Sequence, residues 1–579
     1  MNNVNQQAVL DQNQTFLKNA YNAALIPCML SILSGCVNII ADGIIVGQKI
    51  GAGGLAAINL CIPIYIILCI LGSFFVSGTA IPASQAIGDN DTETAQRYYG
   101  SALTTCLISS GLAAIVGIFL SGPISAVLCT DESIRPMVYD YTIVTLIGAL
   151  PKILIYIPFW YLRLDGKNKT VTVMMTVMGI GNILLDLVYL FLLNMGVFGA
   201  ALASVVSTAA ACIIGFIGQH HGNTSFRFAL SLPEKKQWKT ISGAGSPAAV
   251  NNLMQAVKLL FVNWLLAAYG GNDALAVFSV VNGITAFSET ITVGVPQAGS
   301  AMLGVSHGER DIKSVRILMK IEFISGLIFC TVFGAAITAG ADIIRAAYGL
   351  DIPMFIPMLC LAVSLYPALF NSMLSSFYSV SSHPMLSNMI ITLRSSVFIA
   401  LGILIFCMIG SVPWLFMPFA EIMTIAVWFI VSGALYRKSD KLSRFLLEDT
   451  TLEKSGKVIN FSVEGNAADI CNASAKITEF CEDNGMNMKQ TVRISLAIEE
   501  LLTIISDENR KQTPNFDMRV FSYQDMIGIR IKYDGIDFNP LEIKEEEDDR
   551  YMGVAMLKKL VQETMYKRVL GLNTLLIII

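Results

Sequence analysis

The sequence predicts an all-α polytopic membrane protein, with twelve transmembrane helices in two pseudo-symmetric six-helix lobes, followed by a C-terminal cytoplasmic α/β sandwich domain. Three observations predict it. Of 579 residues, 54% are hydrophobic and only 14% charged, with a mean hydropathy of +0.62, a composition outside that of soluble domains. Charge is crowded at one end: residues 450–579 hold 16 Lys/Arg and 21 Asp/Glu in 130 positions, whereas residues 1–449 hold 23 and 22. The apolar part also repeats at an offset of 220 residues, which lays Gly51, Leu55, Ala56, Gly88 and Asp91 over Gly271, Leu275, Ala276, Gly308 and Asp311.

Twelve apolar stretches have the ~20 residues that a bilayer-spanning helix needs. They run over 21–47, 55–81, 99–126, 137–162, 170–194, 197–218, 242–268, 274–300, 317–340, 354–378, 385–408 and 412–436. Six fall in each half, so 1–218 and 219–440 form the two lobes and the soluble domain occupies 455–579. The first stretch follows a polar run, Asn2 to Gln14, without the basic head of a signal peptide, and reads as a retained helix. With a cytoplasmic N-terminus, the inner segments carry sixteen basic residues, from Lys18 to the cluster Arg437, Lys438, Lys441 and Arg444, and the outer loops only Lys49, Arg135 and Arg345. That asymmetry puts both termini in the cytoplasm and the chain in a plasma or bacterial inner membrane. A repeat of six helices keeps its orientation, and such parallel repeats bind substrate between the lobes.

Composition excludes several classes. A net charge of −4 and a pI near 5.7 leave no basic excess for nucleic acid. The twelve cysteines contain no C-x-x-C pair and ten lie in or beside apolar runs, so neither disulfides nor a zinc site is expected. No Walker loop, H-E-x-x-H or G-x-S-x-G occurs, and the expectation is a transporter, not an enzyme.

Charges inside the spans carry the chemistry, because each costs at least ~2.5–3.5 kcal/mol at mid-membrane. Seven lie away from the predicted ends: Asp42, Lys152, Asp186, Lys258, Glu289, Arg394 and Glu421. Asp42 and Asp186 each have an amide one helical turn earlier, Asn38 and Asn182, on the same face. A carboxylate beside a neutral oxygen suits a monovalent cation or a proton. Lys258 lies at the repeat equivalent of Asn38, which puts it on the opposite wall of a substrate cavity facing Asp42.

In the tail, V-I-N-F-S-V (458–463) alternates as a strand, 466–483 and 488–506 have helical periodicity, F-D-M-R-V-F-S-Y (516–523) and I-G-I-R-I-K-Y (527–533) pair as strands, 553–564 is helical, and N-T-L-L-I-I-I closes the domain. The run Glu545 to Asp549 is an acidic loop.

N-I-I-A-D-G-I-I-V-G-Q-K-I-G-A-G-G-L-A-A (38–57) resembles the first-helix motif of the multidrug and toxic compound extrusion (MATE) family. G-N-I-L-L-D (181–186) with M-G-V-F-G-A-A-L-A-S (195–204) is similar to that family's fifth and sixth helices, and S-Q-A-I-G-D-N-D (84–91) with V-S-H-G-E-R-D (305–311) to its duplicated loop. The resemblance covers residues 15–440. It implies that Asp42, Asn182 and Asp186 hold Na⁺ or H⁺, with Asn38 alongside, in exchange for an exported organic compound. The sequence departs at D-G, where the family commonly has D-T, and at Lys258, which is outside the family pattern.

The tail resembles the ATP-binding fold of anti-sigma-factor serine kinases and histidine-kinase-type ATPases through S-L-A-I-E-E-L-L-T (495–503), D-G-I-D-F-N-P-L (534–541) and 552–568. The resemblance implies a nucleotide site at Glu500, Asp534, Gly535 and Gly553. Ile504 stands where that family holds Mg²⁺ with an Asn, and Tyr533 where it binds adenine with an Asp, so a degenerate regulatory module without ATP as cofactor is expected. The partners expected are a small organic substrate, the bilayer and a cytoplasmic protein for the tail. Two other readings stay open: a flippase of a lipid-linked precursor, and a membrane-tethered signalling protein acting through its tail.

Overall fold

A computed structural model describes residues 2–579 apart from 222–223, 270, 349–351, 382, 410–411, 438–440, 455–456, 510–512, 524–525, 543–557 and 559–560. The chain divides into two compact units, Ala23–Gly433 and a second that combines Met1–Asn22 with Ala434–Ile579.

The first unit is helical. Its elements are α1 (Asn2–Ile50, which begins in the other unit), α2 (Ala52–Gly88), α3 (Thr92–Leu128), α4 (Arg135–Ile147), α5 (Ala149–Leu154), α6 (Tyr156–Leu164), α7 (Asn168–Asp186), α8 (Gly196–His220) and α9 (Lys235–Tyr269). They continue through α10 (Gly271–Thr292), α11 (Gly294–Gly308), α12 (Ile312–Ala339), α13 (Ala341–Ala347), α14 (Phe355–Val380), α15 (Pro384–Thr392), α16 (Phe398–Met408) and α17 (Phe416–Arg437). Among the described residues ten helices are long and apolar enough to cross a membrane, or eleven if the pair Arg135–Ile147 and Ala149–Leu164, bent by 57° around Gly148, is counted as one span. The predicted stretch 242–268 does form a helix, α9, but Asn251, Asn252, Gln255 and Lys258 lower its apolar content, which is why it does not count among them.

The 220-residue offset recurs in three dimensions. Asp91 and Asp311 cap α3 and α12 by accepting from the Thr94 and Ser314 amides, at 2.9 and 3.1 Å. Ahead of the caps, Asn90 and Arg310 both lie in the left-handed region, with φ of 64° and 54°. The Asp91 and Asp311 amides close the two turns on the Ala86 and Ser306 carbonyls, at 2.8 and 2.9 Å. Equivalent glycines then meet across the repeat. A Cβ on Gly88 would lie 2.3 Å from the Val305 carbonyl oxygen, and one on Gly308 would lie 2.2 Å from that of Gln85. Since 85 and 305, like 88 and 308, differ by the offset, this is a self-complementary crossing of α2 and α11. Farther along α2, Gly78 sits against the Ile241 carbonyl and Phe74 presents its own to Gly245, so α9 also approaches α2 at backbone distance.

Two spans contain π-helical turns: Leu187–Leu192 directly after Asp186, and Leu393–Val397, which carries Arg394. Such turns shift the azimuth of the side chains beyond them and recur at functional sites.

The second unit contains the predicted tail elements: β1 (Val458–Glu464), α19 (Ala467–Asp483), α20 (Met488–Glu508), β2 (Asn515–Tyr523), β3 (Met526–Tyr533), β4 (Glu563–Val569) and β5 (Leu572–Ile578), after a single-turn α18 (Thr451–Lys454). The sheet is antiparallel throughout, in the order β1-β2-β3-β5-β4. Residues of α19 and α20 such as Ile477, Ile498 and Leu501 share one core with Met518, Ile529, Ile531 and Leu575 of the sheet. The expected helix over 553–564 is corrected at its end, where Glu563 and Thr564 open β4; residues 553–557 lie outside the described residues, as does the acidic run at 545–549. Leu570 and Gly571, with φ of 59° and 79°, form the tight two-residue turn that folds β4 onto β5.

The α2–α11 crossing predicts that Gly88→Ala and Gly308→Ala each destabilise the protein by about 1–3 kcal/mol, because backbone must move to admit the methyl group. Gly433→Ala meets nothing within 4 Å and should be neutral or stabilising. Thermal melts of the detergent-solubilised protein measure both.

Candidate functional site

Sequence spacing brings each Asn–Asp pair onto one face of its helix, and packing of α1 on α7 brings the two pairs together. Asn38 Nδ2 donates to Asn182 Oδ1 at 2.8 Å, and Asn182 Nδ2 donates to Asp186 Oδ2 at 3.0 Å. Asp42 is the acidic neighbour of Asp186 across this contact. Asp186 is fully buried and Asn182 nearly so. Among the described residues nothing donates to Asn38 Oδ1, Asp42 Oδ1 or Asp186 Oδ1, which are all buried. Three unmet oxygens, two of them from neighbouring carboxyl groups, form a hard, anionic pocket of the kind that takes an alkali cation or a proton. Gly179 allows the approach, since Ser34 Oγ occupies the place its Cβ would take.

A cavity of about 290 Å³ lies elsewhere. It is lined mainly by the second half of the unit, and Asp42 is not on its wall. Asn251, Gln255 and Lys258 line it at spacings of four and three, one face of α9, together with hydroxyls of α14 such as Ser372 and Ser376. The expectation that Lys258 faces Asp42 across a cavity is therefore corrected: Lys258 is on the cavity wall, but its acidic companions there are Glu289 and Glu421. Glu421 is held by Arg394, through Nη2 at 2.7 Å and Nε at 3.1 Å, and by Asn371 Nδ2 at 2.7 Å. Arg394 Nη1 also donates to Ser372 at 2.6 Å. Glu289 accepts from Gln255 at 3.1 Å. Lys258 has no hydrogen bond or ion pair among the described residues.

Lys152 is the lysine beside the first-half site. It is buried, donates to Ser204 at 3.3 Å and lies 5.7 Å from the Tyr65 ring centre. Sequence reasoning missed two buried charges. Glu322 on α12 is fully buried with neither carboxyl oxygen bonded among the described residues, against Gly299. Arg163 is buried with its guanidinium 4.1 Å from the Phe159 ring centre. Both lie close to the expected ends of spans, with Lys320 and Asp165 two residues away, where a charge reads as interfacial.

In the tail, Ile504 and Tyr533 are core residues: Ile504 packs in the helix–sheet interior, and Tyr533 is fully buried with its hydroxyl donating to the Phe538 carbonyl at 2.6 Å. Asp534 accepts from the amide and side chain of Asn515, at 2.7 and 3.0 Å. Gly535 has φ of 107° and abuts Asn509, which accepts from the Ile536 amide at 2.9 Å. Tyr566 donates to Asp537 and Asn573, both at 2.7 Å. Burial, with Asp537 adding to it, pushes the Tyr566 phenol well above its usual range and keeps it a donor. Glu500 lies partly buried on α20, and Gly553 lies outside the described residues. The turn after β3 is thus fastened by side chains of its own domain.

Residues 27–192 match the MatE family model. The multidrug export protein MepA of Staphylococcus haemolyticus is 24% identical over 325 residues, which cover 55% of this chain and 70% of that protein. MepA of Staphylococcus aureus is 24% identical over 319 residues, covering 55% and 69%. Among solved structures, an outward-facing multidrug resistance MATE family transporter of the MOP superfamily superposes with a TM-score of 0.67 at 20% identity, over 73% of this chain and 97% of that one. A MOP superfamily transporter from Pyrococcus furiosus, in which reverse polarity of the binding pocket suggests a different function, superposes with a TM-score of 0.66 at 21% identity, over 72% and 95%.

Removing one partner of a partly buried ion pair leaves the other charge unmet, although the cavity softens the penalty. Arg394→Ala should therefore lower stability by about 1–3 kcal/mol, and the double change Arg394→Met with Glu421→Met by less. Comparing the two melting temperatures in detergent tests the pairing.

Proposed function

We propose that this chain is a MATE-type membrane transporter that exports small organic compounds in exchange for Na⁺ or H⁺, a reading supported by its matched domain and its fold. The observation that carries this reading is the set of three unmet buried oxygens on Asn38, Asp42 and Asp186. Two adjacent carboxylates repel each other when both are ionised, and a bound cation or proton relieves that repulsion. Binding therefore favours the arrangement in which α1 and α7 are in contact. Helix α1 also meets α10, through Cys36 Sγ donating to the Ala286 carbonyl at 3.1 Å, three residues from Glu289 on the cavity wall. A cation that draws α1 toward α7 thus changes the wall beside the substrate, and this differential binding is what an antiporter needs to alternate its access.

The basic residues of the polar loops favour twelve spans with both termini in the cytoplasm. The tail acts as a docking or regulatory module, since Ile504 and Tyr533 spend the two nucleotide-site positions on core packing. A flippase of a lipid-linked precursor would need a cavity with excess positive charge. This one balances Lys258 and Arg394 against Glu289 and Glu421, which favours the antiporter.

In vesicles with imposed Na⁺ or pH gradients, Asp42→Asn and Asp186→Asn should each reduce cation-driven efflux of a fluorescent drug to background, with the protein still folded. Undiminished efflux in either would reject the site. The gradient that drives the wild type identifies the ion. The full-length protein should bind MgATP no more tightly than the millimolar range by calorimetry; micromolar affinity would restore the tail as a nucleotide site.

A further inference from the structure

The charges on the cavity wall are not equivalent. Arg394 and Glu421 neutralise each other at 2.7 Å, and Asn371 and Ser372 satisfy what remains of them. That cluster is a strut. Lys258 and Glu289 differ from it: they line the same cavity, yet no ion pair joins them among the described residues, and Glu289 is met only by the neutral amide of Gln255 at 3.1 Å. Gln255 and Lys258 are three residues apart on one face of α9, so the ammonium lies one turn from the amide that holds the carboxylate. The cavity therefore offers one positive and one negative charge, not paired with each other among the described residues, in a space of about 290 Å³.

Charge complementarity selects the ligand. A monocation gains from Glu289 but is opposed by Lys258, and a monoanion meets the reverse. A molecule with both charges, separated by a short apolar body, meets both walls. Resting on the antiport reading above, we infer that this cavity binds small dipolar solutes of the amino-acid or short-peptide type, with the acid group on Lys258 and the ammonium on Glu289.

One peptide in three charge states tests this on the purified full-length protein. Phenylalanyl-alanine carries both charges, its methyl ester only the ammonium, and its N-acetyl derivative only the carboxylate. Microscale thermophoresis in detergent should rank the free dipeptide about tenfold tighter than either derivative, the effect of one charged contact. Lys258→Ala should abolish the advantage over the ester, and Glu289→Gln the advantage over the acetyl form. The exchanged pair, Lys258→Glu with Glu289→Lys, should regain the preference that each single charge reversal loses. Equal binding of all three forms, tighter binding of the ester, or no binding of any form overturns the inference. Cation-driven drug efflux, measured on the same preparation, reports separately on the antiport reading.

Discussion

Hydrocarbon offers no water to a charge, and that constraint orders this molecule. Every ionised group inside the spans must be met by another group, neutralised by a proton or opened to a wet cavity. The chain uses all three solutions. Arg394, Glu421, Asn371 and Ser372 meet one another. Asn38, Asn182 and Asp186 form a relay that stops short, leaving buried oxygens of Asn38, Asp42 and Asp186 without a hydrogen bond among the described residues. Lys258 and Glu289 open to the cavity. A self-satisfied cluster stiffens the bundle, whereas an incomplete one has affinity to offer, so the distinction between strut and site lies in hydrogen-bond accounting.

The helices reach these arrangements because their crossings are close. Carbonyls of α2, α9 and α11 occupy the space that side chains would take at Gly78, Gly88, Gly245 and Gly308. In a bilayer, where association of helices gains little from the hydrophobic effect, such contacts replace it with packing. Two of these glycines are repeat equivalents, so the halves meet through one self-complementary surface. Helix α1 then bridges the two chemistries: Ser34 and Asn38 contact α7, whereas Cys36 contacts α10. A helix held on two faces transmits a shift on one to the other.

The tail obeys a different solvent. Its sheet buries one face against α19 and α20, and Ile504 and Tyr533 are part of that interior. On the opposite sheet face, Arg519 and Arg530 are directly opposed across β2 and β3 and are both buried, with Glu453 3.7 Å from Arg519. Stability of the domain therefore depends on polar pairing on one face and apolar packing on the other.

The sequence by itself determined the membrane class, the apolar helices, the tail elements other than β4, and the placement of Asp42 and Asp186 within apolar helices. Hydropathy over twenty residues, strand alternation and a lone acid in an apolar run are local properties, readable without neighbours. The 220-residue repeat was also legible, because Asp91 and Asp311 cap recurring turns and Gly88 and Gly308 are required by the crossing of α2 and α11. Only the tertiary structure decided which charges are spent. Nothing in the sequence distinguishes Glu421, bonded to Arg394 27 residues away, from Glu289, bonded to a neutral amide. It also decided that Lys258 shares a wall with Glu289 and not with Asp42, and that Glu322 is buried. Strand β4 was hidden because an edge strand carries weak apolar alternation and owes its conformation to β5. Helical periodicity fixes the face a residue shares with its own helix; which neighbour that face meets depends on helix azimuth and on π turns such as Leu393–Val397, which only packing sets.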